Sequence, residues 1–426
     1  KAVKSNWDIF LDLKNITSGR KPNMAEMKPL KKPFISEIKI QGNKEITEKF
    51  IREYIGVEKG NRLNLKVLDD NITELYSLGY FKTLYYEIHP DIEGWVKIII
   101  HVKESSLRRF HLGLRWDNLY HLVGVANIQV NTHWMPGIRI EDEIQFAGIR
   151  RNEFSISYPS RRLNFPIYPY IKIINSYYPF KLYSVEGYQG SYTHSSNVIS
   201  SGIGLLLKNY WNTEFEYFWK ENDFQSEDKQ DIFNVDYNEK AFLGIRIRAQ
   251  LDLLNDVLLP KRGIFINGKY ENSLTELGSS QDYEFYQAQG KIYKTFHLNT
   301  YGISAYYHRG TKETPLYMTT KYEGSQIFAG TKEFQVHGSS LAFSQLEYRY
   351  KHKKDIFAHL IVNWLISAKS ENSNYTAKNI WGVGTGITFF FPPVGPLKFT
   401  WSWGPKNIYT NKNWQSLFHF SAGYKF

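Results

Sequence analysis

Residues 242–253 read FLGIRIRAQLDL, and their parity decides the fold. Leu243, Ile245, Ile247, Ala249 and Leu251 fall on one side of an extended chain. Gly244, Arg246, Arg248, Gln250 and Asp252 fall on the other. Alternation with period two marks a strand with one apolar and one polar face. A soluble sandwich would hide the apolar face against a second sheet. A membrane barrel would turn it to lipid and the arginines to a wet lumen. Segment length separates the two in part. Many alternating segments here run about 10–13 residues, longer than the usual strand of about 5–6 and suited to a tilted bilayer crossing.

The pattern recurs from about residue 106 to the end. In RRFHLGLRWD (108–117), Phe110, Leu112, Leu114 and Trp116 oppose His111, Gly113, Arg115 and Asp117. In GISAYYH, Ile303, Ala305 and Tyr307 oppose Ser304, Tyr306 and His308. The chain ends WQSLFHFSAGYKF (414–426), with Phe418, Phe420, Ala422, Tyr424 and Phe426 in one set. Seventeen candidate segments can be marked between 108 and 426, but 180–190 is weak and reads as the extension of a neighbour. A single-chain bacterial barrel has an even strand count, so sixteen is expected, with the last strand closing on 108–117. Closure removes the sheet edges that lipid cannot satisfy.

Composition agrees. No stretch of the 426 residues approaches the roughly 18 consecutive apolar residues of a membrane helix. The chain has no cysteine, which excludes disulfides, thiol catalysis and Cys-ligated metals. The net charge of +11 is spread along the chain, so nucleic acid is not an expected partner.

Residues 1–32 read as a Lys- and Pro-containing linker or the end of an upstream domain. Residues 33–104 read as β-α-α-β-β. FISEIKIQG alternates as a strand, and Ile46, Phe50, Ile51 and Ile55 then follow at helical spacing. Leu68, Ile72, Leu75 and Tyr76 make a second apolar stripe, with Gly79 at the place of a helix C-cap glycine. Two more strands complete the unit, and 105–426 is assigned to the barrel.

The unit at 33–104 resembles a POTRA domain, on ISEIKIQGNKEITEKFIREYIGVEKGNRLN and LDDNITELYSLGYFKTLYYEI, above all Gly42-Asn43 and the run Leu75-Tyr76-Ser77-Leu78-Gly79-Tyr80-Phe81. A POTRA domain followed by a sixteen-stranded antiparallel barrel resembles the outer-membrane assembly and secretion superfamily. Its branches are BamA/TamA-like insertases, two-partner secretion transporters and patatin-type (type Vd) autotransporters. Three barrel motifs carry the likeness. DLLNDVLLPKRGIFINGKY matches the family's Asp-rich turn, with Asp252, Asn255, Asp256, Pro260, Arg262 and Gly263. GVGTGITFFFPPVGPLKFTWSWG matches the penultimate hairpin. The segment at about 311–339 stands where the family's lumen-entering loop does, and FAGTKEFQVHG (328–338) matches its motif in part, through Phe328, Gly330, Val336, His337 and Gly338. The family's Arg is His337 here, and a histidine makes the corresponding charge-assisted bond strongly only when protonated.

On the strand after that loop, Glu347 and Arg349 share the expected inner parity, which makes Glu347 a candidate loop anchor. Gly382, Gly384 and Gly386 also share a parity, and the missing side chains would let a loop lie against the inner wall. A dinucleotide site is excluded for GVGTG, because it lies in a strand with no helix after it. Arg115, Arg246, Arg248, Lys269, Arg349 and Lys398 share the inner parity with fewer acids, so a polar, net-basic lumen is expected.

The resemblance implies a bacterial outer-membrane protein with its POTRA domain in the periplasm. Its implied partners are lipid, an unfolded or strand-like client or fused passenger, and the assembly machinery that reads a C-terminal strand ending in Phe426. A homodimer is left open. A lone POTRA domain resembles the patatin-type branch, whose lipid hydrolase precedes it. No Gly-x-Ser-x-Gly nucleophile motif and no HExxH metal motif occurs, so no catalysis, metal or cofactor is expected in this chain. An upstream domain is left open. The reading is a translocator or anchor barrel, with an insertase or a passive pore as alternatives. The junction of 108–117 with 414–426 is the expected weak seam, and Gly423 the residue that would kink it.

Overall fold

A computed structural model describes residues 33–118, 120–132, 137–158, 167–184, 187–207, 210–226, 240–311, 314, 328–332, 335–336, 338–369, 376–392, 394–409 and 413–423. They form two compact units that divide between Ser105 and Ser106.

The first unit is a three-stranded sheet with two helices. The elements are β1 (Phe34–Gln41), α1 (Glu48–Ile55), α2 (Leu65–Ser77), β2 (Phe81–Pro90) and β3 (Trp95–Glu104), in sheet order β1-β3-β2. β3 is central, parallel to β1 and antiparallel to β2. Thr47 caps α1 by accepting the Phe50 N–H at 3.3 Å, and Gly56 ends it in the left-handed region. Ile46, Phe50, Ile51, Ile55, Leu68, Ile72 and Leu75 are buried, as are Ile38, Ile98 and Ile100 of the sheet. Tyr76, expected on the same stripe, is 49% exposed. It lies at the edge of the arc that Leu68, Ile72 and Leu75 already fill.

The Gly42-Asn43 motif has a physical cause. Gly42 turns the chain at φ 93°, where a Cβ would sit 2.2 Å from the Val102 carbonyl oxygen. The turn aims three successive N–H groups at one carboxylate. Glu104 accepts from Lys44 (2.7 Å), Glu45 (3.0 Å) and Ile46 (2.9 Å), while Asn43 donates to the Ile46 carbonyl. Partial burial would raise the Glu104 pKa, but the three N–H donors prevail and hold it below the usual carboxylate value.

The second unit is a closed barrel of sixteen strands, each antiparallel to its neighbours. They are β4 (Arg108–Asp117), β5 (His121–Asn131), β6 (Arg139–Ala147), β7 (Arg150–Ser157), β8 (Ile167–Ser184), β9 (Gly187–Leu207), β10 (Trp211–Ser226), β11 (Lys240–Asp252), β12 (Gly263–Ser273), β13 (Tyr283–Phe296), β14 (Asn299–Gly310), β15 (Ser340–Lys353), β16 (Ile356–Lys369), β17 (Thr376–Phe391), β18 (Gly395–Pro405) and β19 (Trp414–Gly423). The weak segment 180–190 divides between the end of β8 and the start of β9, which gives the even count.

Parity is as the alternation predicts. Ile303 is 52% exposed while its neighbours Ser304 and Tyr306 are buried, and Leu112 is 70% exposed. Exposed apolar side chains on the outward parity recur on strand after strand around the barrel, including Ile128, Ile171, Ile203, Phe215, Ile245, Ile266, Leu346, Leu360, Trp381, Trp401 and Phe418. An outward belt of this kind is stable in lipid and would be an aggregation surface in water.

The lumen departs from a simple polar lining. Phe218, Phe242, Tyr283 and Phe285 form one buried inward cluster. Tyr306, Leu341, Phe343, Leu365 and Ile380 form another with Phe328 and Val336 of the inward segment. A barrel interior covered by its own loop is a core, and apolar side chains there lose water as they would in any core.

Candidate functional site

Register, which parity alone does not give, assembles the site. One row crosses the wall from β15 to β19: Gln345 pairs with Asn363, Asn363 with Gly382 and Gly404 with Gln415, and one rung beyond the Val383–Trp403 pair the β17–β18 register sets Gly404 beside Gly382. It presents two amides, two bare backbones and a third amide. The tip of the 311–339 segment lies across it.

At the tip, Thr331 N–H donates to the Phe328 carbonyl at 3.1 Å and closes a turn. Ala329 N–H donates to Asn363 Oδ1 at 2.9 Å, and Asn363 Nδ2 donates to Gln345 Oε1 at 3.2 Å. The Ala329 carbonyl lies over the two glycines, 2.1 Å from where a Gly382 Cβ would stand and 2.7 Å from a Gly404 Cβ. The Gly330 carbonyl accepts from Gln415 Nε2 at 3.1 Å. Phe328 is buried at 1% exposure, its ring edge-on to Phe343. Val336 joins the same apolar cluster. The Gly338 carbonyl is 2.6 Å from Nε2 of the buried His308.

The expected glycine track is therefore used unevenly. Gly382 meets the loop directly, and Gly384 only touches it, with its Cβ position 3.6 Å from the Ala329 Cβ. Gly386 faces His359 and the Phe399 carbonyl instead. Gly404, Asn363 and Gln415 hold the tip and were not anticipated. Neutral amides carry no sequence signal, and Gly404 becomes meaningful only once it is set beside Gly382. His337 lies outside the described residues.

Glu347 and Arg349 sit elsewhere. Glu347 accepts from Tyr293 OH at 3.3 Å and lies 3.4 Å from Arg349 Nε. Arg349 donates through Nη2 to the Pro260 carbonyl and stacks over Tyr293. The pair thus braces the Asp-rich turn. That turn is built from its motif: Asp252 Oδ1 accepts from Leu254 N–H, and Asp256 Oδ1 from Leu258 and Leu259 N–H. Asn255 Oδ1 accepts from Lys261 and Arg262 N–H, and Asn255 N–H donates back to the Arg262 carbonyl. Gly263 leaves the turn at φ 118°, against the Leu253 carbonyl. These side-chain bonds of Asp252, Asn255 and Asp256 all go to the turn's own backbone, so the motif shapes the turn.

A second row crosses the far wall. Tyr170, Gly202, Glu216, Arg246 and Glu271 are successive neighbours from β8 to β12. Arg246 bridges Glu216 (2.5 Å) and Glu271 (2.7 Å). Glu271, fully buried, also holds Lys220 at 2.5 Å, Lys269 at 3.4 Å and the Tyr283 hydroxyl. Arg248 reaches Glu216 at 3.3 Å and Glu214 at 3.6 Å. On this wall the four bases Lys220, Arg246, Arg248 and Lys269 still outnumber the three acids Glu214, Glu216 and Glu271, but each is paired with one of them. Buried charges persist only when so paired.

Among the described residues the seam is the thinnest junction: β19 matches β18 over nine residue pairs but β4 over three, Ser421 with Asp117, Ala422 with Trp116 and Gly423 with Arg115. Gly423 has φ 96°, and a Cβ there would fall 2.2 Å from the Leu114 carbonyl oxygen. Phe420 packs on Trp116 across the junction at 5.1 Å and on Phe399 at 4.7 Å, while Phe418 faces outward, 58% exposed. Tyr424 and Phe426 lie outside the described residues. Among the described residues, no group of three or more His, Asp or Glu is placed to hold a metal ion.

A closed barrel with an apolar belt, an inward loop and an α/β domain before its first strand defines a class: an outer-membrane β-barrel with a periplasmic POTRA domain. Residues 139–426 match the Omp85 superfamily domain, and residues 33–105 match the POTRA model, described as a surface antigen variable number repeat. The chain belongs to the Omp85 superfamily. Its fold is similar to BamA from Haemophilus ducreyi lacking POTRA domains 1–3, with TM-score 0.73 and 14% identity, over 92% of this chain and 84% of that one. It is also similar to CdiB from Acinetobacter baumannii (TM-score 0.56, 14% identity, 92% and 74% covered). CdiB from Escherichia coli matches at TM-score 0.56 and 10% identity, over 92% and 77%. At these identities the likeness is one of fold. No curated protein matches the chain significantly.

Proposed function

We propose that this barrel is a translocator that secretes or displays a polypeptide, and that the β4–β19 junction is where the client meets the wall. The observation that carries the reading is the seam, which among the described residues has three pairs, in a wall whose last strand is held over nine pairs on its other side. A ladder so short is the least costly place to part a barrel, because each rung that opens leaves backbone groups to be satisfied. β1 and β2 are the edges of the POTRA sheet; residues 60–63 and Arg52 cover part of the β1 edge, so β2 is the edge that offers backbone to an extended segment. Where the inward loop is docked, it and the apolar clusters fill lumen space, so the resting barrel is narrowed by its own side chains.

The finer reading is that the client is a fused patatin-like lipid hydrolase. An insertase of other outer-membrane barrels would use the same seam, and depletion distinguishes the two. Loss of one exported protein, with other barrels unchanged, supports the translocator. A joint fall of many unrelated barrels supports the insertase and rejects the translocator. The full reading frame tests the passenger, which requires a Gly-x-Ser-x-Gly domain before residue 33.

A further inference from the structure

β4 ends at Asp117, and the chain turns away toward β5. Tyr120 N–H fixes this turn by donating to Asp117 Oδ1 at 2.8 Å, and Asp117 pairs with His121 across the hairpin. β19 continues past that point, so its edge above Ser421 has no β4 backbone opposite it. Counting one rung up from the Asp117–Ser421 pair sets Asn118 opposite Phe420. There the side chain of Asn118 takes over from the strand. Its Oδ1 accepts the Phe420 N–H at 2.8 Å, and its Nδ2 donates to the Phe418 carbonyl at 3.1 Å. One primary amide thus supplies both the acceptor and the donor that a paired strand would present to the same two groups.

We propose that Asn118 is a clasp on the seam: its side-chain amide occupies the first free rung of the β19 edge and must be displaced before an incoming strand can pair there. The proposal rests on the reading of this seam as the client's point of contact. Its chemistry is local. Trp116, Phe418 and Phe420 make the junction's outer face apolar, and in such surroundings an unpaired N–H or C=O is costly. The amide satisfies both groups while resting on one rotatable side chain. The rungs below it, Ser421 to Gly423, are held by backbone ladder and cannot release one at a time so readily. An extended segment of any sequence can replace Asn118, because what it offers is the backbone donor and acceptor common to every non-proline residue. The clasp therefore sets when the edge is free and does not select which client binds.

The test is hydrogen exchange on the full chain in lipid nanodiscs, read at the Phe420 amide, with the variants Asn118→Leu and Asn118→Asp. Leu removes both bonds at similar volume, and exchange at Phe420 should rise about fivefold or more, the equivalent of one lost hydrogen bond. Asp keeps the acceptor and loses the donor, so its rate should fall between wild type and Leu. Exchange of Lys398, on the β18 side, should stay unchanged in both. Wild-type exchange at Phe420 in both variants overturns the proposal, as does an equal rise at Phe420 and Lys398, which would mean general loosening. Should the Leu variant fail to fold, the Asp variant alone decides by the same comparison. A seam that proves irrelevant to client handling would sink the functional reading and leave these exchange rates as they are, so the two failures are distinguishable.

Discussion

Gly330 at the tip of the inward segment and Gly404 on β18 meet backbone to backbone: a Cβ on Gly330 would lie 2.0 Å from the Gly404 nitrogen. The approach is possible because neither residue carries a side chain, and because Gly330 adopts φ 79°. Gly404→Ala should push the tip off the wall, at a cost of about 1–3 kcal/mol typical of overpacking. Limited proteolysis of the intact barrel should then cut within 311–339 faster than in wild type. Unchanged cleavage would mean that the contact does not hold the loop.

Asn363 offers a sharper version of the same test. Its Oδ1 is the acceptor for the Ala329 N–H, and its side chain is fully buried. Asn363→Ala leaves that donor unpaired and should cost about 1–3 kcal/mol of loop docking. Gln415→Ala, which frees only a carbonyl, should cost less, about 1 kcal/mol. The order of the two in a cleavage-rate comparison checks the assignment.

Glu271 joins Lys220, Arg246, Lys269 and Tyr283 in a closed network. Glu271→Gln leaves buried cations with too little negative charge and should destabilise the barrel by about 3–5 kcal/mol. The measurement is the temperature at which the compact band on semi-native gels converts to the unfolded one, which should drop. The double variant Lys220→Met/Glu271→Gln should recover part of the loss, because it removes one of the stranded cations.

The Glu104 cradle gives the POTRA unit a pH dependence of known sign. The folded pKa is lowered, so the contribution is fully present above the unfolded carboxylate value near 4.3 and disappears as pH falls through the lower folded value. Glu104→Gln should remove this dependence. Exchange of the Lys44, Glu45 and Ile46 amides in the full chain, compared between wild type and variant at each pH, should differ most at neutral pH. The two should converge in strong acid.

Much of this architecture is legible in the sequence because membrane barrels repeat one simple rule. Parity alone separated Arg246 from Ile245 and Ser304 from Ile303, and the even strand count followed from closure. Parity also put Gly382 on the inner wall. It could not give height along the wall, which depends on register between strands. Glu347 therefore reads as a loop anchor; among the described residues its partners are Tyr293 and Arg349, beside the Pro260 turn, and His337 lies outside them. The same gap hid the row from Gln345 to Gln415, whose members lie far apart in sequence and include no charged residue. Asn118 was invisible for a different reason: its role depends on where β4 stops, and strand ends are the least determined feature of an alternating pattern.

The account stands on the junction of β4 with β19, and a disulfide across it is the most direct probe. The chain has no cysteine, so Asp117→Cys with Ser421→Cys, which are paired neighbours, would form the sole cross-link. Export of the client, whatever its identity, should stop when this pair is oxidised and return, when it is reduced, to the level of the single cysteine variants. Export that continues at the wild-type rate through a fully oxidised seam would contradict the account.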